Sequence, residues 1–93
     1  MDEAKFLWKI TVRGRVQGVG FRWSALREAE ACGISGFVKN MPAGAVYIEA
    51  EGTREQLRLF TGWCKEGPGI GHVSSVDFSE YPPAGYSGFV IKH

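Results

Sequence analysis

The chain is short of charge imbalance, of histidine and of long apolar runs, and each shortage closes off a class of function. Eleven Lys and Arg face ten Asp and Glu, for a formal net charge of +1 at pH 7. The broad basic footprint of a nucleic-acid-binding protein is therefore missing. No apolar run reaches membrane-spanning length, and Met1-Asp2-Glu3-Ala4-Lys5 is too polar to open a signal peptide. A cytoplasmic protein with no membrane partner is expected. The two cysteines, Cys32 and Cys64, and the two histidines, His72 and His93, stand apart at no ligand spacing, so neither a metal nor a cofactor is expected. In a reducing compartment the cysteines read as small buried hydrophobes, with a bridge between them as the alternative. Neither cysteine is followed by arginine at the spacing of a cysteine-dependent phosphatase, since Val38 and Ile70 hold those positions. Ser24 lies beside Arg22 without an evident base. If the chain is an enzyme, water is its nucleophile.

What remains is an ordinary globular composition, 44% hydrophobic and 23% charged, over 93 residues with no repeat or linker. That is one domain, residues 1–93. Residues Phe6 to Arg13 alternate as a strand, with Trp8, Ile10 and Val12 on the core side. A helix is predicted over Arg22–Cys32, with Ala25, Leu26, Ala29 and Cys32 facing inward and Gly33 as its left-handed cap. Ile34–Met41 and Ala45–Glu51 read as a hairpin turned by Pro42-Ala43-Gly44. Glu49, Glu51 and Asp77 fall on alternating strand positions and are expected on a solvated face. Thr53 and Gln56 have the spacing of a capping box at the start of a second helix, which would bury Leu57, Phe60, Cys64 and part of Trp63. Gly67-Pro68-Gly69-Ile70-Gly71 ends it. His72–Glu80 and Gly88–Lys92 read as strands separated by Pro82-Pro83-Ala84-Gly85. The order β-α-β-β-α-β predicts an α+β, ferredoxin-like sandwich: a mostly antiparallel sheet, two helices on one face, and a short extra C-terminal strand.

Chemistry concentrates in Gly14-Arg15-Val16-Gln17-Gly18-Val19-Gly20-Phe21-Arg22. Three glycines in seven residues free the backbone between the first strand and the first helix. Its amides and the helix N-terminus can then face a small oxyanion, with the Arg22 guanidinium beside them. The segment lacks the Lys-Ser/Thr ending of a nucleotide phosphate loop and the G-x-G-x-x-G dinucleotide spacing. Glycines so placed serve equally well to make a tight turn. Arg22 favours the anion, because a cation at a helix start opposes the dipole. Asn40, at the end of the second strand, suits a hairpin flank and also an amide that holds a water or substrate oxygen.

Together these residues resemble a known family. Gly14 to Arg22 is similar to the acylphosphatase signature, of the form G-x-V-Q-G-V-x-F-R. Gly36-Phe37-Val38-Lys39-Asn40 with Gly44, Val46 and Glu51-Gly52 resembles the family's second motif. Gly67-Pro68 with Val73 and Phe89-Val90-Ile91-Lys92 extend the likeness over nearly the whole chain. Phe37 stands where the family often has Trp or Tyr, and Gly71 where Ala is frequent. The family also occurs as an N-terminal domain of larger maturation factors, but no second domain is expected here. The resemblance implies hydrolysis of the carboxyl–phosphate bond of acylphosphates without a metal or cofactor. Arg22 would hold the phosphoryl group, aided by amides of Arg15, Val16, Gln17, Gly18, Val19, Gly20 and Phe21. Asn40 would position the attacking water, whose proton a substrate oxygen could accept. The implied substrates are small acylphosphates such as 1,3-bisphosphoglycerate and carbamoyl phosphate, with phosphate as product or competitor and a monomer acting alone. The alternative is a non-catalytic module that binds a small anion or a protein.

Overall fold

Alternation in the first strand dictates one apolar face, and the rest of the sheet assembles on it. The computed structural model describes residues 4–93; Met1 to Glu3, in the polar N-terminal stretch, lie outside the described residues. The elements are β1 (Phe6–Arg15), α1 (Phe21–Cys32), β2 (Ser35–Asn40), β3 (Val46–Gly52), α2 (Arg54–Glu66), β4 (His72–Tyr81) and β5 (Phe89–Lys92). The five strands form one sheet in the order β4-β1-β3-β2-β5. Strand β1 pairs antiparallel with β3 and β4, and β3 with β2, while β5 runs parallel to β2. This is the expected ferredoxin-like arrangement. The final strand does not extend the β4 edge, however, but crosses to the opposite one.

The core lies between one face of the sheet and both helices. Trp8, Ile10, Val12, Val38, Val46, Ile48 and Ala50 meet Phe21, Ala25 and Ala29 of α1 and Leu57, Phe60 and Cys64 of α2. Leu26 and Cys32 are only partly buried, so the inner stripe of α1 starts one turn earlier than the sequence suggests, at Phe21. Phe78 faces the same side but stays half-exposed, stacked on Trp8 with ring centroids 4.0 Å apart. Both cysteines are free. Burial pushes the Cys64 thiol well up, which suits a small hydrophobe and not a nucleophile.

Each helix ends as its sequence suggests. Gly33 takes φ 76° and caps α1 with its N–H directed to Ala29 and Glu30 carbonyls. At the start of α2, Thr53 Oγ1 accepts from Gln56 N at 3.2 Å and Gln56 Oε1 accepts from Thr53 N at 2.9 Å. The turn 42–44 is less regular. Ala43 adopts φ 72°, a left-handed conformation that a residue with a Cβ enters at a cost of about 1 kcal/mol.

The expected solvated carboxylate face needs a correction. Glu51 is buried, and its Oε1 accepts from Ala84 N at 2.7 Å and Gly85 N at 2.9 Å. Glu49 accepts from the Tyr47 and Tyr86 hydroxyls, each at 2.6 Å. The segment 82–88 runs across this outer face on its way from β4 to β5, and these carboxylates pin it there. Strand alternation indicates which face a residue takes, but not what later covers that face. Only Asp77 is solvated as expected, in an exposed ion pair with Arg13 at 2.9 Å.

Candidate active site

The site begins with a bulge. The register of β1 against β4 shifts between Arg13 and Gly14. A Cβ on Gly14, which has φ 131°, would sit 2.2 Å from the His72 carbonyl oxygen, so the close approach of β4 admits glycine alone. Beyond the bulge Arg15 pairs with His72, and the chain leaves the sheet as the loop Val16–Gly20. Val16 is buried and anchors one end of that loop. Gln17 anchors the middle: its Nε2 donates to the carbonyls of Met41 and Ala45, both at 2.8 Å. One side chain thus ties the loop to the β2–β3 hairpin, the element that carries Asn40.

Helix α1 then starts without a cap of its own. Its N-cap is Gly20 in the left-handed region, with no side-chain cap hydrogen bond and no acidic residue in the first turn. The first intrahelical donor bond runs from Ser24 N to Gly20 O at 3.0 Å. The amides of Phe21, Arg22 and Trp23 have no intrahelical acceptor and form the positive end of the helix dipole.

A cavity of about 250 Å³ opens at this helix start, lined by Val16, Gly18, Gly20, Phe21, Arg22, Trp23, Asn40, Ile91 and His93. Among the described residues, no Asp or Glu lines it. Arg22, half-buried, has its Nη1 3.5 Å from the Lys92 carbonyl oxygen and 3.3 Å from His93 Nδ1. Among the described residues it has no ion-pair partner. Asn40 closes the β2–β3 ladder opposite Val46, and its Oδ1 is buried with no hydrogen-bond partner among the described residues. Buried polar atoms are nearly always satisfied, so this acceptor is open to a hydrogen bond from a group in the cavity.

Of the residues singled out in the sequence, Val16, Gly18, Gly20, Phe21, Arg22 and Asn40 line the cavity together. Arg15, Gln17 and Val19 do not. Arg15 belongs to the sheet, the Gln17 side chain faces the hairpin, and the Val19 methyls lie against Gly71. Trp23, Ile91 and His93 also line it, though the sequence gives none of them a role in the site. Trp23 adjoins Arg22 in sequence, but the other two arrive only through the parallel pairing of β5 with β2, for which the sequence carries no local signal.

Known proteins carry the same architecture. The Acylphosphatase family model matches residues 8–91. A protein of Thermotoga petrophila named acylphosphatase is 45% identical over 91% of this chain and 94% of its own length. One of Thermococcus kodakarensis with the same name is 42% identical, covering 88% of this chain and 90% of its own. The crystal structure of acylphosphatase from Bacillus subtilis superposes with a TM-score of 0.92 at 36% identity, over 95% of this chain and 99% of that one. The chain belongs to the acylphosphatase family.

Proposed function

We propose that this protein hydrolyses the carboxyl–phosphate bond of acylphosphates by direct attack of a water molecule on phosphorus. One observation carries the reading: an arginine without a carboxylate partner among the described residues and an asparagine with an unsatisfied Oδ1 line one cavity at an uncapped helix start. The phosphoryl oxygens lie against the amides at the head of α1 and the Arg22 guanidinium, which compensate their charge without a metal. Asn40 Oδ1 accepts a hydrogen bond from the water and aims its oxygen at phosphorus, opposite the leaving carboxylate. As the new P–O bond forms, the bond to the acyl oxygen breaks and its electron pair leaves on the carboxylate. The water proton passes to a phosphoryl or carboxyl oxygen of the substrate. A carboxylate is a good leaving group, so no strong general acid is needed. Catalysis rests on positioning and on stabilising the equatorial oxygens. The loop Val16–Gly20 and Asn40 belong to different elements, and the Gln17 bonds that tie the loop to the β2–β3 hairpin support their acting together.

The test is hydrolysis of a synthetic acylphosphate with inorganic phosphate as competitor. Asn40→Ala is expected to keep phosphate inhibition while kcat falls by on the order of 10²–10³, the usual cost of one lost preorganised contact. The pH profile should show no protein base titrating near neutrality. Phosphate-induced thermal stabilisation without any hydrolysis would instead favour a binding module.

A further inference from the structure

We infer that Trp23, which shares the cavity wall with Ile91, forms a seat for a flat apolar acyl group, so that the site favours aryl acylphosphates over those with small or anionic acyl parts. The inference rests on reading the cavity as the acylphosphate site, and it names the part of that substrate the cradle does not touch. A phosphoryl group at the head of α1 fills only a fraction of the roughly 250 Å³ cavity. The remaining walls are Val16, Phe21, Trp23, Ile91 and His93. Val16 and Phe21 are core residues, each 2% exposed. Trp23 is different. It is 60% exposed and, among the described residues, stacks on no other ring.

Nothing in the helix asks for this residue. Trp23 lies in the first turn of α1, where an acidic side chain would complement the dipole and tryptophan has only middling propensity. Helical side chains lean toward the N-terminus, which carries this indole back over the turn that precedes it. There Gly18 and Gly20 present no side chain, and a Cβ built on either would meet nothing within 4 Å. That space is open, and Trp23 lines the same cavity, so its exposed indole borders the room into which an acyl group bonded to a held phosphoryl must project. An anionic acyl group would find little there. Among the described lining residues Arg22 is the one permanent cation, and it is committed to the phosphoryl group. The Lys92 ammonium is turned away, 4.1 Å from the Phe37 ring centroid on the outer face.

The experiment compares kcat/KM for benzoyl phosphate and acetyl phosphate in the parent, Trp23→Ala and Trp23→Phe. Taking the ratio of the two substrates within each protein cancels their different intrinsic reactivities. Trp23→Ala should lower the benzoyl-to-acetyl ratio about fivefold, the size of one lost aromatic contact, chiefly through KM for the aryl substrate. Trp23→Phe should recover most of that loss, and inhibition by inorganic phosphate should move less than the benzoyl KM. An unchanged ratio in Trp23→Ala, whether both activities fall together or neither moves, overturns the acyl seat while leaving the hydrolytic site standing. A parent that hydrolyses neither substrate overturns the reading of the site itself, and the seat with it.

Discussion

Helices α1 and α2 both open with an arginine in the first turn, and the protein treats the two arginines differently. At the head of α2, Arg54 donates from Nε and Nη2 to the carboxylate of Glu80 at 3.0 and 2.9 Å, and the Thr53–Gln56 box takes up two of the free amides. Glu55 adds an acid in the first turn. At the head of α1 there is no side-chain cap and no acid, and Arg22 faces a cavity. One helix start is internally satisfied, whereas the other has donors and charge to spare for something outside the chain. Stability and the proposed function thus rest on the N-termini of two different helices.

The comparison can be broken at either end. Arg22→Ala should have the largest effect: loss of phosphate binding and a fall in turnover on the order of 10³. Its melting temperature without phosphate should stay level or rise slightly, because a cation is removed from a helix N-terminus. Parent-like activity in a steady-state assay would remove Arg22 from the role given it. Next comes Gly20→Asp, which puts an acid at the start of α1, where it has none. Aspartate tolerates the left-handed backbone, so stability should stay within about 1 kcal/mol of the parent. The inhibition constant for phosphate should rise at least about tenfold, because a like charge then borders the cradle.

At the other end, Thr53→Ala should cost about 1 kcal/mol in urea unfolding and leave kcat/KM unchanged. The smallest effect is a pH dependence. The hydrogen bonds from Arg54 and Trp8 hold the Glu80 carboxyl at about 2, well below its ordinary 4.5. Its pairing therefore contributes stability in full above pH 4.5, which is lost as pH falls toward 2. Glu80→Gln should flatten the decline in melting temperature across that window, and an unaltered slope would show that the pair carries no linkage.

Much of this was legible in the sequence because it is local. The capping box, the Gly33 cap and the Gly14–Arg22 loop are each written in fewer than ten consecutive residues, and their backbone requirements admit few residue types. Long-range features were not legible. The burial of Glu51 depends on a segment more than thirty positions later crossing its face. Gln17 reads as one more loop residue until the hairpin carbonyls it binds are brought to it. Ile91 and His93 enter the cavity only because β5 pairs with β2 and not with its neighbour in sequence, β4. Alternation and propensity describe each strand separately and are silent on which edge a strand will join.

The placement of β5 also bears on how copies of the chain meet at high concentration. Without it, the unpaired backbone groups along Phe37 and Val38 of β2 would form an apolar sheet edge, a ready template for a strand from another molecule. With it, that side of the sheet ends on a strand of only four residues, Phe89–Lys92. The opposite edge, β4, is longer, but it carries Asp77 and Glu80 and runs out at Pro82-Pro83, where no amide proton is left to donate. Short edges, charged edges and proline are the means by which sheets discourage edge-to-edge growth. The strand that completes the cavity thus also works against intermolecular β-assembly.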